Sequence, residues 1–156
     1  MFCLEIGFWV IGISEMLFLA ADHAGFELKE KICHKLAEQK IAFEDLGTFS
    51  KDPVDYPGLS KQLTKAVLKH DGRGIMFCGS GEGMAIVANR SRGARAAVVW
   101  NSRVAVETRE DNDANIISLP ARFIDEATAW EIVSVFLSTS FSHADRHKRR
   151  LKQIDQ

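Results

Sequence analysis

Hydrophobic residues fall into two alternating patterns along this chain: short continuous runs, and stretches in which they recur every three or four positions. Met16 to Ala21 is an apolar run, and Phe26 to Lys40 carries Leu28, Ile32 and Leu36 at helical spacing among charges, which predicts strand, loop and helix. Ile41 to Leu46 predicts a second strand. The polar loop Gly47 to Pro57, punctuated by Asp52-Pro53 and Tyr56-Pro57, leads to a helix from about Gly58 to Lys69. Ile75 to Cys78 is a buried strand closed by Gly79-Ser80-Gly81-Glu82-Gly83, and a helix opens at Gly83-Met84. Ala94 to Trp100 supplies a fourth strand, Asn101 caps a helix to about Asp111, and Ala114 to Leu119 makes a fifth strand. An apolar-striped helix over Asp125 to Leu137 and a basic one over Ser142 to Gln156 complete the chain. Strands alternating with helices require crossover connections, so the pattern predicts an α/β fold: a mainly parallel sheet covered by helices on both faces.

Composition narrows the class. A length of 156 residues with 46% hydrophobic content suits one domain with a full core. The formal net charge of -1 gives no global field toward nucleic acid or an anionic membrane, so neither is expected as a partner. Cys3, Cys33 and Cys78 are too few and too irregularly spaced for a disulfide framework or a zinc site, and a reducing cytoplasm is the expected location. Residues 1–15 are apolar but carry no Lys or Arg and are too short to span a bilayer, so they are expected to be an extension outside a single domain of residues 16–156. Met16 fits the natural start of that domain. The competing reading is an extra strand or a partner-contacting segment.

The chemistry concentrates at Cys78 to Gly83. Its glycines let backbone N–H groups approach an anion at a helix start, and the helix dipole there is expected to favour a thiolate at Cys78. Position by position, familiar motifs fail: no Lys follows Gly83 as a Walker A loop demands, and Gly79-Ser80-Gly81-Glu82-Gly83 is one residue too tight for the dinucleotide fingerprint. An isolated cysteine at a strand end is more often structural, but the flanking glycines reverse those odds. Asp22-His23 by itself is a turn with a helix cap, yet it follows the first strand at the carboxyl edge where Cys78 also falls. Arg146 and Arg150, four apart with His147 beside them, ordinarily mean a solvated face; two guanidiniums on one face also make a phosphate clamp.

Taken together, Asp22-His23-Ala24-Gly25, Asp55-Tyr56-Pro57, Cys78 to Met84, Asn112-Asp113-Ala114-Asn115 and Arg146-His147-Lys148-Arg149-Arg150 resemble the type B ribose-5-phosphate isomerase family, which includes allose- and galactose-6-phosphate isomerases. The resemblance runs from about Met16 to Ile154. It implies a Rossmann-like three-layer α/β/α sandwich with a five-stranded parallel sheet, a homodimer or paired tetramer, and active sites shared between subunits. It implies a sugar-phosphate substrate, an enediolate intermediate and no metal or organic cofactor. On this resemblance Cys78 is the proton-transfer base, and Ser80 with the N–H groups of Gly79, Gly81, Glu82 and Gly83 stabilises the developing oxyanion, worth roughly 3 kcal/mol per well-aimed donor. Asp22, His23 and Tyr56 bind substrate from the same subunit. Asn112, Arg146 and Arg150 come from the partner, the arginines gripping phosphate together with His23, His147 or Arg122.

Departures from the family pattern matter. Asp111 stands where many members have the histidine that opens the furanose ring, and a carboxyl is ordinarily a poor proton donor at neutral pH. Ser80 replaces the commoner Thr and keeps the hydroxyl, while Pro120 stands where Gly is frequent. Some members lack the cysteine and use a Glu where this chain has Met84, so Cys78 marks the cysteine type and Glu82 is not that base. Two alternatives stay open: an isomerase of six-carbon sugar phosphates, and a sugar-phosphate-binding dimer that lost ring opening through Asp111.

Overall fold

A computed structural model describes residues 15–156. The segment read as an extension lies outside the described residues except for Glu15, whose carboxylate meets Arg73 Nε at 2.7 Å. Five strands, β1 (Leu17–Ala21), β2 (Glu44–Asp45), β3 (Arg73–Cys78), β4 (Ala96–Val98) and β5 (Ile116–Pro120), form one parallel sheet in the order β2-β1-β3-β5-β4. Six helices follow the strands or close the chain: α1 (Phe26–Glu38), α2 (Tyr56–His70), α3 (Glu82–Ala88), α4 (Ser102–Glu110), α5 (Glu126–Ser138) and α6 (Asp145–Ile154). Among the described residues no helix is long and apolar enough to cross a membrane.

Successive strand residues point to opposite faces, and the two resulting cores are separate. Leu17, Leu19, Ile75, Phe77, Ile117 and Leu119 pack under α1, α4 and α5. Phe18, Ala20, Met76, Cys78 and Ile116 pack under α2 and α3. Because β1, β3 and β5 are covered on both faces, they read as continuous apolar runs in the sequence. Cys78 thereby falls on the α2–α3 side at the carboxyl end of the central strand.

Four elements differ most in their bounds from the sequence reading. Both β2 and β4 are edge strands, hydrogen-bonded on one side only, and the ladder covers two and three residues instead of the longer runs predicted. α2 begins at Tyr56, two residues before the predicted start, because Pro57 is accommodated in the first helical turn where its missing N–H costs nothing. α6 begins at Asp145 and not Ser142. The predicted cap at Asn101 is present, with its side-chain oxygen accepting from Val104 N at 2.9 Å.

Lys29, in α1, is fully buried, and its ammonium is held by the carboxylates of Asp45 and Glu30. Burial alone would pull Lys29 down, but hydrogen bonds to Asp45 and Glu30 more than offset it, so its net displacement is upward. The pair ties α1 to the edge strand β2. Lys29→Ala leaves Asp45 without its cation and is expected to cost about 3 kcal/mol in urea unfolding, as breaking a buried pair does; a loss below about 1 kcal/mol would show the pair to be dispensable.

Candidate active site

The direction of strand succession reverses between β1 and β3, and the crevice at the carboxyl ends of such strands is where open α/β sheets hold ligands. Asp22 follows β1, Cys78 ends β3, and Arg122 follows β5. Asp22 is 6% exposed and ties two loops together, one carboxylate oxygen accepting from Gly25 N at 2.8 Å and the other from Gly79 N at 3.4 Å. The loop can press this closely on β3 only because position 25 is glycine, since a Cβ there would sit 2.1 Å from the Phe77 carbonyl oxygen. His23 is exposed, and its Nδ1 accepts from Val54 N at 3.4 Å.

The glycine turn is packed from two sides. The Tyr56 ring lies against Gly83, where a Cβ would come within 2.9 Å of Cζ. The Arg122 guanidinium lies over Gly79 in the same way, and Arg122 N donates to Gly79 O at 3.1 Å. Gly81 takes a left-handed conformation with φ +81°, and its carbonyl accepts from Ser118 Oγ. Ser80 is exposed, and its Oγ accepts from Glu82 N at 3.3 Å.

The expectation that the turn favours a thiolate is corrected by its geometry. Burial pushes the Cys78 thiol up; the Met84 and Gly81 amides pull against this, and the Asp22 carboxylate adds to the rise through charge and a hydrogen bond. Desolvation and a neighbouring anion thus outweigh the few amides of the seven-residue α3. Cys78 is 5% exposed and holds its proton at neutral pH.

The remaining predicted residues gather elsewhere. α4 runs back from the carboxyl edge, so Asp111 and Asn112 precede β5 at the amino edge of the sheet, and Ser142 N donates to Glu110 O at 3.1 Å, which brings the start of α6 to the same edge. The length of β3, six residues or about 20 Å of rise, separates this group from Cys78. Asp111, Asn112, Arg146 and Arg150 are exposed there. His147 is not: it is 3% exposed, its Nδ1 lies 2.9 Å from Ser142 Oγ, and its Nε2 lies 3.0 Å from Arg146 Nε and 3.4 Å from Asp111 Oδ1.

Two arginines that the sequence does not mark as site residues hold this edge in shape. Arg109 reaches Asp113 Oδ1 at 2.9 Å, Ala114 O at 2.6 Å and Thr139 O at 3.1 Å, while Arg95 binds Asp113 Oδ2 at 3.1 Å. Asp113, at φ 44°, is thereby fixed in a left-handed turn that presents Asn112. Nothing in the sequence distinguishes Arg109 from a solvated helix charge. One group of metal-type donors, Glu30, Cys33 and Asp45, lies within 4.8 Å among the described residues. Lys29 already binds both of its carboxylates, so a fixed ammonium fills the role of the cation.

A doubly wound sheet with a thiol in the glycine turn at its switch point, a tyrosine and an arginine packed on that turn, and arginines exposed at the far edge is the architecture of a sugar-phosphate isomerase of the Rossmann-like type. The chain belongs to the Ribose/Galactose Isomerase family, whose model matches residues 17–154. It is 40% identical over 137 residues to ribose-5-phosphate isomerase B of Mycolicibacterium paratuberculosis, covering 86% of each chain. Its fold matches the crystal structure of a ribose 5-phosphate isomerase from Thermotoga maritima with a TM-score of 0.88 and 44% identity, over 91% of this chain and 98% of that one. It matches ribose-5-phosphate isomerase B from Mycoplasma genitalium, solved with bound ribulose 5-phosphate, with a TM-score of 0.85 and 33% identity over 90% of this chain and 94% of that one.

Proposed function

We propose that the protein interconverts ribose 5-phosphate and ribulose 5-phosphate through an enediolate, with Cys78 as the base and each site completed by a second copy of the chain. The observation that carries this reading is the seat of Cys78, a buried thiol at the switch point, flanked by Asp22 and by the amides of Gly81 and Met84. Family membership supports the reaction class, and the ribulose 5-phosphate held by the Mycoplasma genitalium relative supports a five-carbon substrate. The separation of Cys78 from Arg146 and Arg150 by the length of the sheet supports a shared site, because one copy cannot bring both to one small sugar.

In this mechanism the Cys78 thiolate takes the C2 proton of the open-chain aldose, and the electron pair moves to O1 to give the enediolate. The thiol then returns the proton to C1, and a second proton passes from O2 to O1. The amides of Gly79, Gly81 and Glu82 are engaged by Asp22, Cys78 and Ser80, which leaves those of Ser80 and Gly83, with the Ser80 hydroxyl, to hold the developing oxyanion. Tyr56 and His23 line the sugar, and Asn112 of the second copy joins them. Arg146 and Arg150 of that copy, with Arg122 of the first, bind the phosphate. No metal or organic cofactor is needed for this proton transfer.

The reading is tested by mixing purified protein with ribose 5-phosphate and following ketose formation beside allose 6-phosphate and galactose 6-phosphate. Turnover of ribose 5-phosphate at the highest kcat/KM supports it. A preference for a six-carbon substrate overturns the substrate assignment, and binding without turnover makes the protein a sugar-phosphate-binding dimer. Because the thiol is raised and only its thiolate acts, kcat/KM is expected to rise with pH between about 7 and 9, approaching tenfold per unit. Asp22→Asn removes an anion that raises the thiol, so the rising limb should move to lower pH. A flat profile would contradict the base assignment.

A further inference from the structure

His147 is the one buried side chain of α6, a helix otherwise covered with exposed charge. The polar groups around its ring come from three places: Asp111 at the end of α4, Ser142 in the loop before α6, and Arg146 on its own helix. Its Nε2 has two claimants with opposite needs. To accept from Arg146 Nε at 3.0 Å it must offer a lone pair, whereas to bind Asp111 Oδ1 at 3.4 Å it must carry a proton. The Ser142 hydroxyl, 2.9 Å from Nδ1, both donates and accepts and so suits either state. The network therefore has two arrangements, one tied to Arg146 and one to Asp111.

These two claimants have different tasks in the proposed site, on which this inference rests: Arg146 grips phosphate, and Asp111 stands where ring opening needs an acid. We propose that His147 is a positioning residue and proton relay that couples them. Phosphate draws the Arg146 guanidinium away from the imidazole, which frees the Nε2 lone pair. The imidazole then takes a proton from water on Nε2 and holds it against Asp111. As the C1–O4 bond of the furanose breaks, that proton passes through Asp111 to O4. The O1–H electron pair closes the C1 carbonyl, and the O1 proton combines with the hydroxide left when the imidazole was protonated; the imidazole is neutral again, so protons and charge balance. In this way a carboxyl gains an imidazole's proton supply one residue removed from the sugar.

Ribulose 5-phosphate forms no furanose ring, so exchange of its C1 proton with D2O reads the Cys78 step without ring opening. His147→Gln keeps bulk and a hydrogen-bonding end but cannot relay a proton. Net conversion of ribose 5-phosphate in this variant is expected to fall about tenfold more than C1 exchange. In an Asp111→His background, where an imidazole faces the sugar directly, His147→Gln should no longer change that ratio. Equal losses in both reactions, or no loss in either, would overturn the relay and leave the isomerase reading standing. A parent protein that neither exchanges nor converts would overturn the isomerase reading and the relay with it. If His147→Gln fails to fold by thermal unfolding, Ser142→Ala gives the same reading: a smaller drop in the ratio supports the relay, and an unchanged ratio overturns it.

Discussion

Cys78→Ala is expected to lower kcat for ribose 5-phosphate by about a thousandfold while KM stays within about threefold, because a general base contributes on the order of a hundredfold to ten-thousandfold and the phosphate ligands remain. Exchange of the ribulose 5-phosphate C1 proton with D2O should stop in the same variant, since both reactions need the same proton acceptor. The fold should tolerate the change. Cys78 packs against Met84 and its neighbours on the α2–α3 side, and losing one sulfur from that core costs on the order of 1 kcal/mol. Cys78→Ser separates nucleophilic geometry from acidity: it keeps the size and the hydrogen bonds but not an ionisable thiol, so it should remain nearly as inactive. Full activity in either variant would move the base to another group.

Replacing Arg146 and Arg150, the two arginines proposed to hold phosphate, should do the reverse. In the double variant Arg146→Ala with Arg150→Ala, KM for ribose 5-phosphate is expected to rise about a hundredfold or more, from the loss of charge-assisted hydrogen bonds worth about 1.5–3 kcal/mol each. A smaller fall in kcat should accompany it, because the phosphate also holds the reacting carbons over the thiolate. Both side chains are exposed in the single chain and neither belongs to the core, so unfolding midpoints should hardly move. An unchanged KM would place the phosphate elsewhere, with Arg122 on the glycine turn the first group to test.

How much of this was legible in the sequence depended on what decided each feature. β1, β3 and β5 are buried on both faces, so their apolar runs announced them, and the glycine turn after Cys78 followed from local conformational need. The edge strands β2 and β4 were over-read because their ends are set by where a neighbour's ladder stops. The helical position of Tyr56 was hidden behind Pro57, which signals a turn and a first helical turn equally well.

Features decided by tertiary contact were not legible. The thiol was expected to be activated by a helix start, but burial strips its water and the carboxylate of Asp22, distant in sequence, turns toward it. His147 sits in a run of charge that reads as solvated surface, and only the meeting of Ser142, Asp111 and α6 buries it. Arg109 and Arg95 gave no signal because their partners are carbonyls and a carboxylate presented by folded loops. The shared site was implied by the family resemblance alone, and topology adds a physical reason for proposing it: the motif residues follow one another along the chain, yet the sheet sends them to opposite edges.

The proposed division of the site between two copies is tested most directly by mixing Cys78→Ala with the Arg146→Ala, Arg150→Ala double variant after brief dissociation, or by expressing them together. Each alone is expected to be nearly inactive at substrate concentrations near the parent KM. In a mixed dimer one site inherits both defects and the other inherits neither, and half of randomly paired dimers are mixed, so about a quarter of the parent activity should return. No recovery, with mixed dimers demonstrated by mass, would contradict a site completed by the second copy.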